Sequence, residues 1–164
     1  MELTFQRSYC VIFILYERLW RLIEAMYLEC IFCKILSGAI PSYKVYEDEF
    51  VFAFLDNYPC SEGHTVVLPK KHIERFTQMD VIDAANLFSS VHKISKAVCK
   101  SFDLQGMNIG MNVGEVAGQS VPHVHVHIIP RKEGDNGGSM HSIVENNPDT
   151  SKLGELAEKI RASF

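Results

Sequence analysis

The sequence has little of what marks a nucleic-acid-binding, membrane-spanning or disulfide-stapled protein. Lys and Arg number 16 against 20 Asp and Glu, so the net charge of -4 provides no basic surface for a nucleic acid. The apolar run over 9–16 is far shorter than the roughly 20 residues of a transmembrane helix, and charged Glu17 and Arg18 follow it. The five cysteines are odd in number and lack the spacing of a secreted disulfide framework. These absences predict a protein of the reducing cytoplasm that binds neither nucleic acid nor membrane.

The chain divides into an N-terminal extension, one folded domain and a polar tail. Residues 1–28 form the extension, in which apolar residues at helical spacing predict an amphipathic helix over roughly 12–28. A natural start at Met26 is a second interpretation of this extension. Residues 29–131 form the domain, and 132–164 form a polar tail that ends in a predicted short helix.

The domain alternates short extended segments with one long helical segment. A short helix is predicted over 31–36, and a long helix over about 78–100 begins at a capping box formed by Thr77 and Asp80. Its apolar stripe consists of Val81, Ala84, Phe88, Val91, Ile94 and Val98. Strands are predicted over 44–47, 50–55, 64–69, 107–113 and 122–129. This order indicates an α+β fold, in which a mainly antiparallel sheet carries its helices on one face.

Three histidines alternate with apolar residues in the last predicted strand. Because side chains alternate between the two faces of a strand, His123, His125 and His127 are expected to share one face. Val124, Val126 and Ile128 would then face the core. One such histidine is usually an ordinary polar surface residue, but three in strict alternation indicate chemistry, since an imidazole can be a donor, a metal ligand or a nucleophile.

A glycine-containing loop leads directly into the histidine segment. Gly118 lets backbone amides approach an anion closely, and Asn112, Gln119 and Ser120 add side-chain donors. Two interpretations of the histidines are therefore open. Two or three of the imidazoles bind a catalytic zinc ion, or one imidazole attacks a phosphorus atom held by the loop while its neighbours donate hydrogen bonds.

Four blocks of the sequence resemble the histidine triad (HIT) family. The segment 118–130 contains the family's His-x-His-x-His signature, and 30–41, 54–56 and 63–73 match its upstream blocks in the same order. The resemblance covers about 30–131, so the predicted domain is identified as a HIT domain.

This resemblance implies a fold and a reaction. The family fold is a five-stranded antiparallel sheet with a long helix, usually assembled as a homodimer that binds a purine nucleotide or a nucleotide conjugate. His125 would attack the α-phosphate to form a nucleotidyl-histidine intermediate, and water would then release the nucleoside monophosphate. His127 would bind a phosphate oxygen or the leaving group, and His64 would support the nucleophile from behind.

The resemblance also implies the nucleotide contacts. Asp56, with Asn57 beside it, matches the acidic residue that binds the ribose hydroxyls. The phosphate and leaving-group contacts match Asn112, Gly118, Gln119 and Ser120. Adenosine phosphoramidates and dinucleoside polyphosphates are both open as substrates, and a nucleotide-binding regulator with little turnover is the alternative function.

Cys30 and Cys33 form a C-x-x-C pair with three open interpretations. They could be two core cysteines, a redox pair, or half of a zinc site whose remaining ligands would be His72 and His123. The resemblance to the zinc-binding branch of the family implies the third. A closed site with four protein ligands would be structural, and it would leave His125 and His127 free for chemistry.

Overall fold

The computed structural model describes residues 30–146 and 148–164. The predicted amphipathic helix over 12–28 lies outside these residues. In the described part of the chain, no helix is both long and apolar enough to cross a membrane.

One antiparallel sheet of five strands organises the domain. The strands are β1 (Lys44–Glu47), β2 (Val51–Leu55), β3 (Thr65–Pro69), β4 (Gly106–Gly110) and β5 (Val126–Arg131). Their order across the sheet is β1-β2-β3-β5-β4, and every neighbouring pair is antiparallel. The helices are α1 (Ile31–Leu36), α2 (Val81–Phe102) and α3 (Leu153–Arg161). The predicted fold class is confirmed.

Both faces of the sheet are covered by apolar packing. The strands supply alternate residues to the two faces, as Val51 and Ala53 do against Phe52 and Phe54 in β2. On one face α2 packs through a buried cluster that consists of Val51, Ala53, Val67, Ile73, Leu87, Val91, Ile94, Val98, Val124, Val126 and Ile128. On the other face Ile35 of α1 packs against Phe52, Phe54, Val66 and Leu68. The prediction that the helices share one face was therefore wrong.

The long helix begins later than predicted because a different residue caps it. The side chain of Asp80 accepts a hydrogen bond from the Asp83 N–H at 2.8 Å, so Asp80 is itself the N-cap. Thr77 lies in the preceding one-turn helix Phe76–Gln78, and the predicted capping box does not form. Val81 is consequently in the first turn and 85% exposed, while the residue that fills the core is Leu87, which is fully buried.

Two strands of the sheet also differ in extent from the prediction. Strand β4 ends at Gly110 rather than at residue 113, because the chain turns there into the loop that carries Asn112. Strand β5 begins at Val126 rather than at residue 122. His123 and His125 therefore precede the regular strand, although Val124, Val126 and Ile128 still lie in the core as predicted.

The first part of the tail is fastened to the sheet. The Arg131 guanidinium forms an ion pair with Asp135 at 2.6 Å and donates to the Gly138 carbonyl at 2.7 Å. The predicted last helix is present as α3, in which Leu153, Leu156 and Ile160 are exposed.

The burial of α2 gives a test of the fold. Leu87→Ala should lower the free energy of unfolding by about 3 kcal/mol, because it leaves a cavity in the core. Ile82→Ala on the same helix, at a side chain that is 73% exposed, should change it by less than about 0.5 kcal/mol. Urea unfolding measures both values, and equal losses in the two variants would contradict the packing described.

Candidate active site

The His125 ring is buried and held in one orientation. Its Nδ1 donates a hydrogen bond to the backbone carbonyl of His123 at 2.7 Å. The Phe32 ring packs against it edge-on, with centroids 5.0 Å apart. Burial lowers the pKa of His125 below its usual value, so the ring is neutral at pH 7. A neutral imidazole with its proton on Nδ1 keeps a lone pair on Nε2, which is the form a nucleophile requires.

His127 and His64 form a hydrogen-bonded pair beside His125. Nε2 of His64 lies 2.9 Å from Nδ1 of His127, and the His125 and His127 ring centroids are 5.0 Å apart. The Cys60 N–H donates to Nδ1 of His64 at 3.3 Å. Because Nδ1 of His64 accepts this bond, we assign the proton of His64 to Nε2, from which it is donated to Nδ1 of His127. His127 therefore carries its own proton on Nε2, where it is a donor.

Asp56 stands behind this pair. One carboxylate oxygen lies 3.6 Å from Nδ1 of His64, and the other accepts from the Tyr58 N–H at 2.9 Å. Burial lowers the pKa of His127 to about 4, with the neighbouring His125 and His64 adding to the effect. Burial also lowers the pKa of His64, and Asp56 partly opposes it. Asn57 follows Asp56 and is exposed.

The loop between β4 and the histidine segment is a compact turn. Gly114 and Gly118 have φ of 86° and 88°, a region that glycine enters without strain. The Asn112 side-chain amide donates to the Gly118 carbonyl at 3.3 Å. Because Gly110 pairs with His127 across the sheet, this loop starts alongside the segment that holds His125. Ser120 is exposed at its end.

Gln119 does not fit the role of a free side-chain donor that the sequence predicted. Its side-chain oxygen accepts from the Gly114 N–H at 2.7 Å. Its side-chain nitrogen donates to the backbone carbonyls of Glu74 at 2.6 Å and Val121 at 3.0 Å. Both amide protons are therefore directed at the protein itself.

The four predicted metal ligands come together in a buried cluster. Their ligand atoms all lie within 4.8 Å of one another. The sulfur-to-nitrogen distances are 3.5 Å for Cys30 and His123, 3.7 Å for Cys33 and His123, and 3.3 Å for Cys33 and His72. Zinc bonds of about 2.3 Å to sulfur and about 2.0 Å to nitrogen, at tetrahedral angles, separate such atoms by about 3.5 Å. The cluster thus has the dimensions of a Cys₂His₂ site.

The surroundings of the cluster suit a cation. Nε2 of His123 lies 2.9 Å from the Pro69 carbonyl, which places its proton there and turns the Nδ1 lone pair toward the sulfurs. Burial raises the pKa of Cys33 to about 12, and Cys30 adds to this effect. A bound cation would reverse that cost, because a coordinated thiol is deprotonated.

The three alternating histidines do not converge on one point. Same-face residues of an extended segment are roughly 6.5–7 Å apart, and the side chain of His123 belongs to the cysteine cluster. His127 lies in a second group, with Asp56 and His64. Of the two groups found in the described part of the chain, neither contains two of the alternating histidines, which argues against a zinc ion held by all three.

Two residues of the site were not predicted as site residues. Phe32 packs against both His123 and His125, and its only sequence signal was its place between the two cysteines. Cys60 contributes a backbone N–H, which leaves no signal in the sequence.

Comparison with known proteins assigns this arrangement to a class. Residues 37–134 match the HIT domain. The chain therefore belongs to the HIT family.

Several relatives extend this match. An uncharacterized HIT-like protein of Methanocaldococcus jannaschii is 55% identical over 65% of this chain and 81% of its own. An adenosine 5′-monophosphoramidase of Saccharomyces cerevisiae is 35% identical over 82% of each chain. An adenylylsulfatase of Arabidopsis thaliana is 40% identical over 65% of this chain and 54% of its own.

Solved structures agree with the fold. A HIT family protein of Bacillus subtilis has a TM-score of 0.75 and 42% identity, covering 83% of this chain and 97% of that one. A zinc-bound histidine triad family protein of Mycobacterium smegmatis has a TM-score of 0.65 and 31% identity, covering 84% and 99%.

The neutral His127 ring predicts a loss of stability in acid. Its folded-state pKa of about 4 lies below the usual 6.5, so the unfolded chain binds more protons and stability falls as the pH drops from 6.5 toward 4. His127→Gln should reduce the loss of unfolding free energy between pH 7 and 5 by on the order of 1 kcal/mol. His92→Gln, at an exposed position of α2, is the control. Identical pH dependence of urea unfolding in the His127 variant and the wild type would contradict this account.

Proposed function

We propose that this protein hydrolyses a purine nucleotide conjugate through a covalent nucleotidyl-His125 intermediate. The observation that carries the proposal is the 2.7 Å hydrogen bond from Nδ1 of His125 to the His123 carbonyl. It fixes the tautomer whose Nε2 lone pair can attack phosphorus, and burial keeps the ring unprotonated.

The reaction takes two displacements. Nε2 of His125 forms a bond to the α-phosphorus while the bond from phosphorus to the leaving group breaks, which splits one difficult step into two. The Nε2–H of His127, held in that tautomer by His64, hydrogen-bonds a phosphate oxygen or the leaving group. Water then attacks the phosphorus, breaks the bond to His125 and releases the nucleoside monophosphate.

The remaining predicted contacts surround the same ring. The Asp56 carboxylate, followed by Asn57, would accept the two ribose hydroxyls, as a carboxylate does for a vicinal diol in other nucleotide sites. Asn112, Gly118 and Ser120 would hold the phosphate oxygens from the loop. Within this proposal, 29–131 act as the HIT domain, and the homodimer and the cytoplasmic location stay predictions.

The relatives favour one of the two substrate classes. The proteins of S. cerevisiae and A. thaliana are an adenosine 5′-monophosphoramidase and an adenylylsulfatase by name. The first name supports an adenosine phosphoramidate over a dinucleoside polyphosphate as the substrate of this chain, and the second adds adenylyl sulfate as a related candidate.

His125→Ala tests the nucleophile. We expect it to lose nearly all turnover of adenosine 5′-phosphoramidate and to keep its affinity for AMP within roughly tenfold, about 1.4 kcal/mol. Mass spectrometry of wild-type protein quenched with substrate should find the adenylyl group on His125.

His92→Ala, at an exposed position of α2, is the matched control and should retain wild-type turnover. Wild-type turnover in the His125 variant would refute the mechanism. AMP binding by wild-type protein without adenylylation or turnover of either substrate class would favour a nucleotide-binding regulator.

We further propose that the cysteine cluster binds a structural zinc ion. The distances among Cys30, Cys33, His72 and His123 support it, as does the carbonyl that orients His123. The ion would tie α1 and the segment after β3 to the histidine segment. With all four positions filled by protein, it would leave no position for substrate.

Replacing both Cys30 and Cys33 with serine should abolish zinc binding and lower the melting temperature. Cys99→Ser, outside the cluster, should leave both quantities unchanged. Elemental analysis and thermal unfolding measure them. Full zinc content in the double variant would rule out the site.

A further inference from the structure

We infer that Gln119 is a positioning residue, whose side chain docks the loop over 112–120 against the histidine segment and does not contact phosphate. This inference deepens the proposed function and rests on it for the meaning of the loop. It concerns the one loop residue whose side chain the structure commits fully to the protein.

The amide oxygen and the amide nitrogen of the Gln119 side chain are both hydrogen-bonded to backbone atoms. A primary amide has two N–H donors, and both are directed at carbonyls, those of Glu74 at 2.6 Å and Val121 at 3.0 Å. Its oxygen accepts the Gly114 N–H at 2.7 Å. A phosphate oxygen needs a donor, so it could bind Gln119 only after one of these bonds had broken.

The same side chain closes the loop on itself. Besides the side-chain bond, the Gln119 N–H donates to the Gly114 carbonyl at 3.1 Å, so the two residues are bonded in both directions. Between them Glu115, Val116 and Ala117 are exposed, and Val116 is as exposed as in an extended chain. Since apolar packing does not hold these residues, hydrogen bonds hold the loop, and the Gln119 side chain supplies the one that joins it to the Glu74 carbonyl.

The bond to Glu74 determines where the loop sits. Residues 72–74 form a short backbone platform beside the histidines, since the Val124 N–H donates to the Ile73 carbonyl at 2.7 Å. The next carbonyl along, that of Glu74, accepts from Gln119 at 2.6 Å. Loop and histidine segment are therefore docked on adjacent residues of one backbone stretch. This shared support sets the distance between the loop amides and the His125 ring.

Two substitutions separate docking from direct contact. Gln119→Met keeps the length of the side chain and removes all three hydrogen bonds. Gln119→Glu keeps the acceptor for the Gly114 N–H and removes both donors. Gln105→Met, at an exposed position before β4, is the matched control.

Hydrogen exchange of the nucleotide-free protein gives the first readout. In Gln119→Met the Gly114 amide should exchange about tenfold faster, because it loses its acceptor. In Gln119→Glu that amide should stay protected, and amides of β5 should be unchanged in both variants. An unchanged Gly114 exchange rate in Gln119→Met would overturn the inference.

Turnover of two substrates with different leaving groups gives the second readout. For both adenosine 5′-phosphoramidate and adenylyl sulfate, kcat should fall about tenfold to a hundredfold in each Gln119 variant, and by the same factor. The melting temperature should stay within about 3 °C of the wild type, which separates positioning from loss of the fold.

A loss confined to one leaving group would show a direct contact and overturn the inference. So would a loss of kcat that follows a large fall in melting temperature. If the wild-type protein turned over neither of these substrates nor a dinucleoside polyphosphate, the proposed function would fail, and the Gly114 exchange rate would still decide whether Gln119 docks the loop.

Discussion

The site depends on one hydrogen bond, which Nδ1 of His125 donates to the backbone carbonyl of His123, two residues earlier. An imidazole that rotates freely between tautomers presents a lone pair at a given point only part of the time. Here the carbonyl of His123 accepts at 2.7 Å, and the burial of the ring removes water as a competing partner. The fixed His125 ring is surrounded by the other parts of the site. The Phe32 and His127 rings pack against it, and the loop over 112–120 starts beside His127.

His123 serves the site twice, by two different parts of the residue. Its side chain belongs to the cysteine cluster on one side, and its carbonyl orients the neighbouring imidazole on the other. The three alternating histidines therefore have three different sets of neighbours. In the function proposed above, the His123 ring would bind a metal, the His125 ring would attack phosphorus, and the His127 ring, bonded to His64, would donate a hydrogen bond.

Much of the fold and of the candidate site could be predicted from the sequence, because period-two alternation and short glycine loops are local signals. The five strands, the long helix, the four clustered cysteine and histidine side chains and the buried Val124, Val126 and Ile128 followed from such signals or from the family they indicated. The start of α2 did not, since Thr77 and Asp80 both suit a cap and only the fold selects between them. The proton positions on His64 and His127 depend on the Cys60 backbone N–H, and the engagement of Gln119 depends on a carbonyl 45 residues away. Neither contact has a signature in residue type.

The short helix α1 contacts both the cysteine cluster and the His125 ring from a single helical turn. Cys30 stands at its N-terminus, Phe32 and Cys33 follow within it, and these three side chains meet a sulfur-nitrogen cluster and the His125 ring. Successive residues of an α-helix are rotated by about 100° about its axis. A single inserted residue after Cys30 would therefore swing the aromatic ring and the second thiol to another side of the helix together. The number of residues between Cys30 and Cys33 is therefore fixed by the cluster and by the His125 ring together.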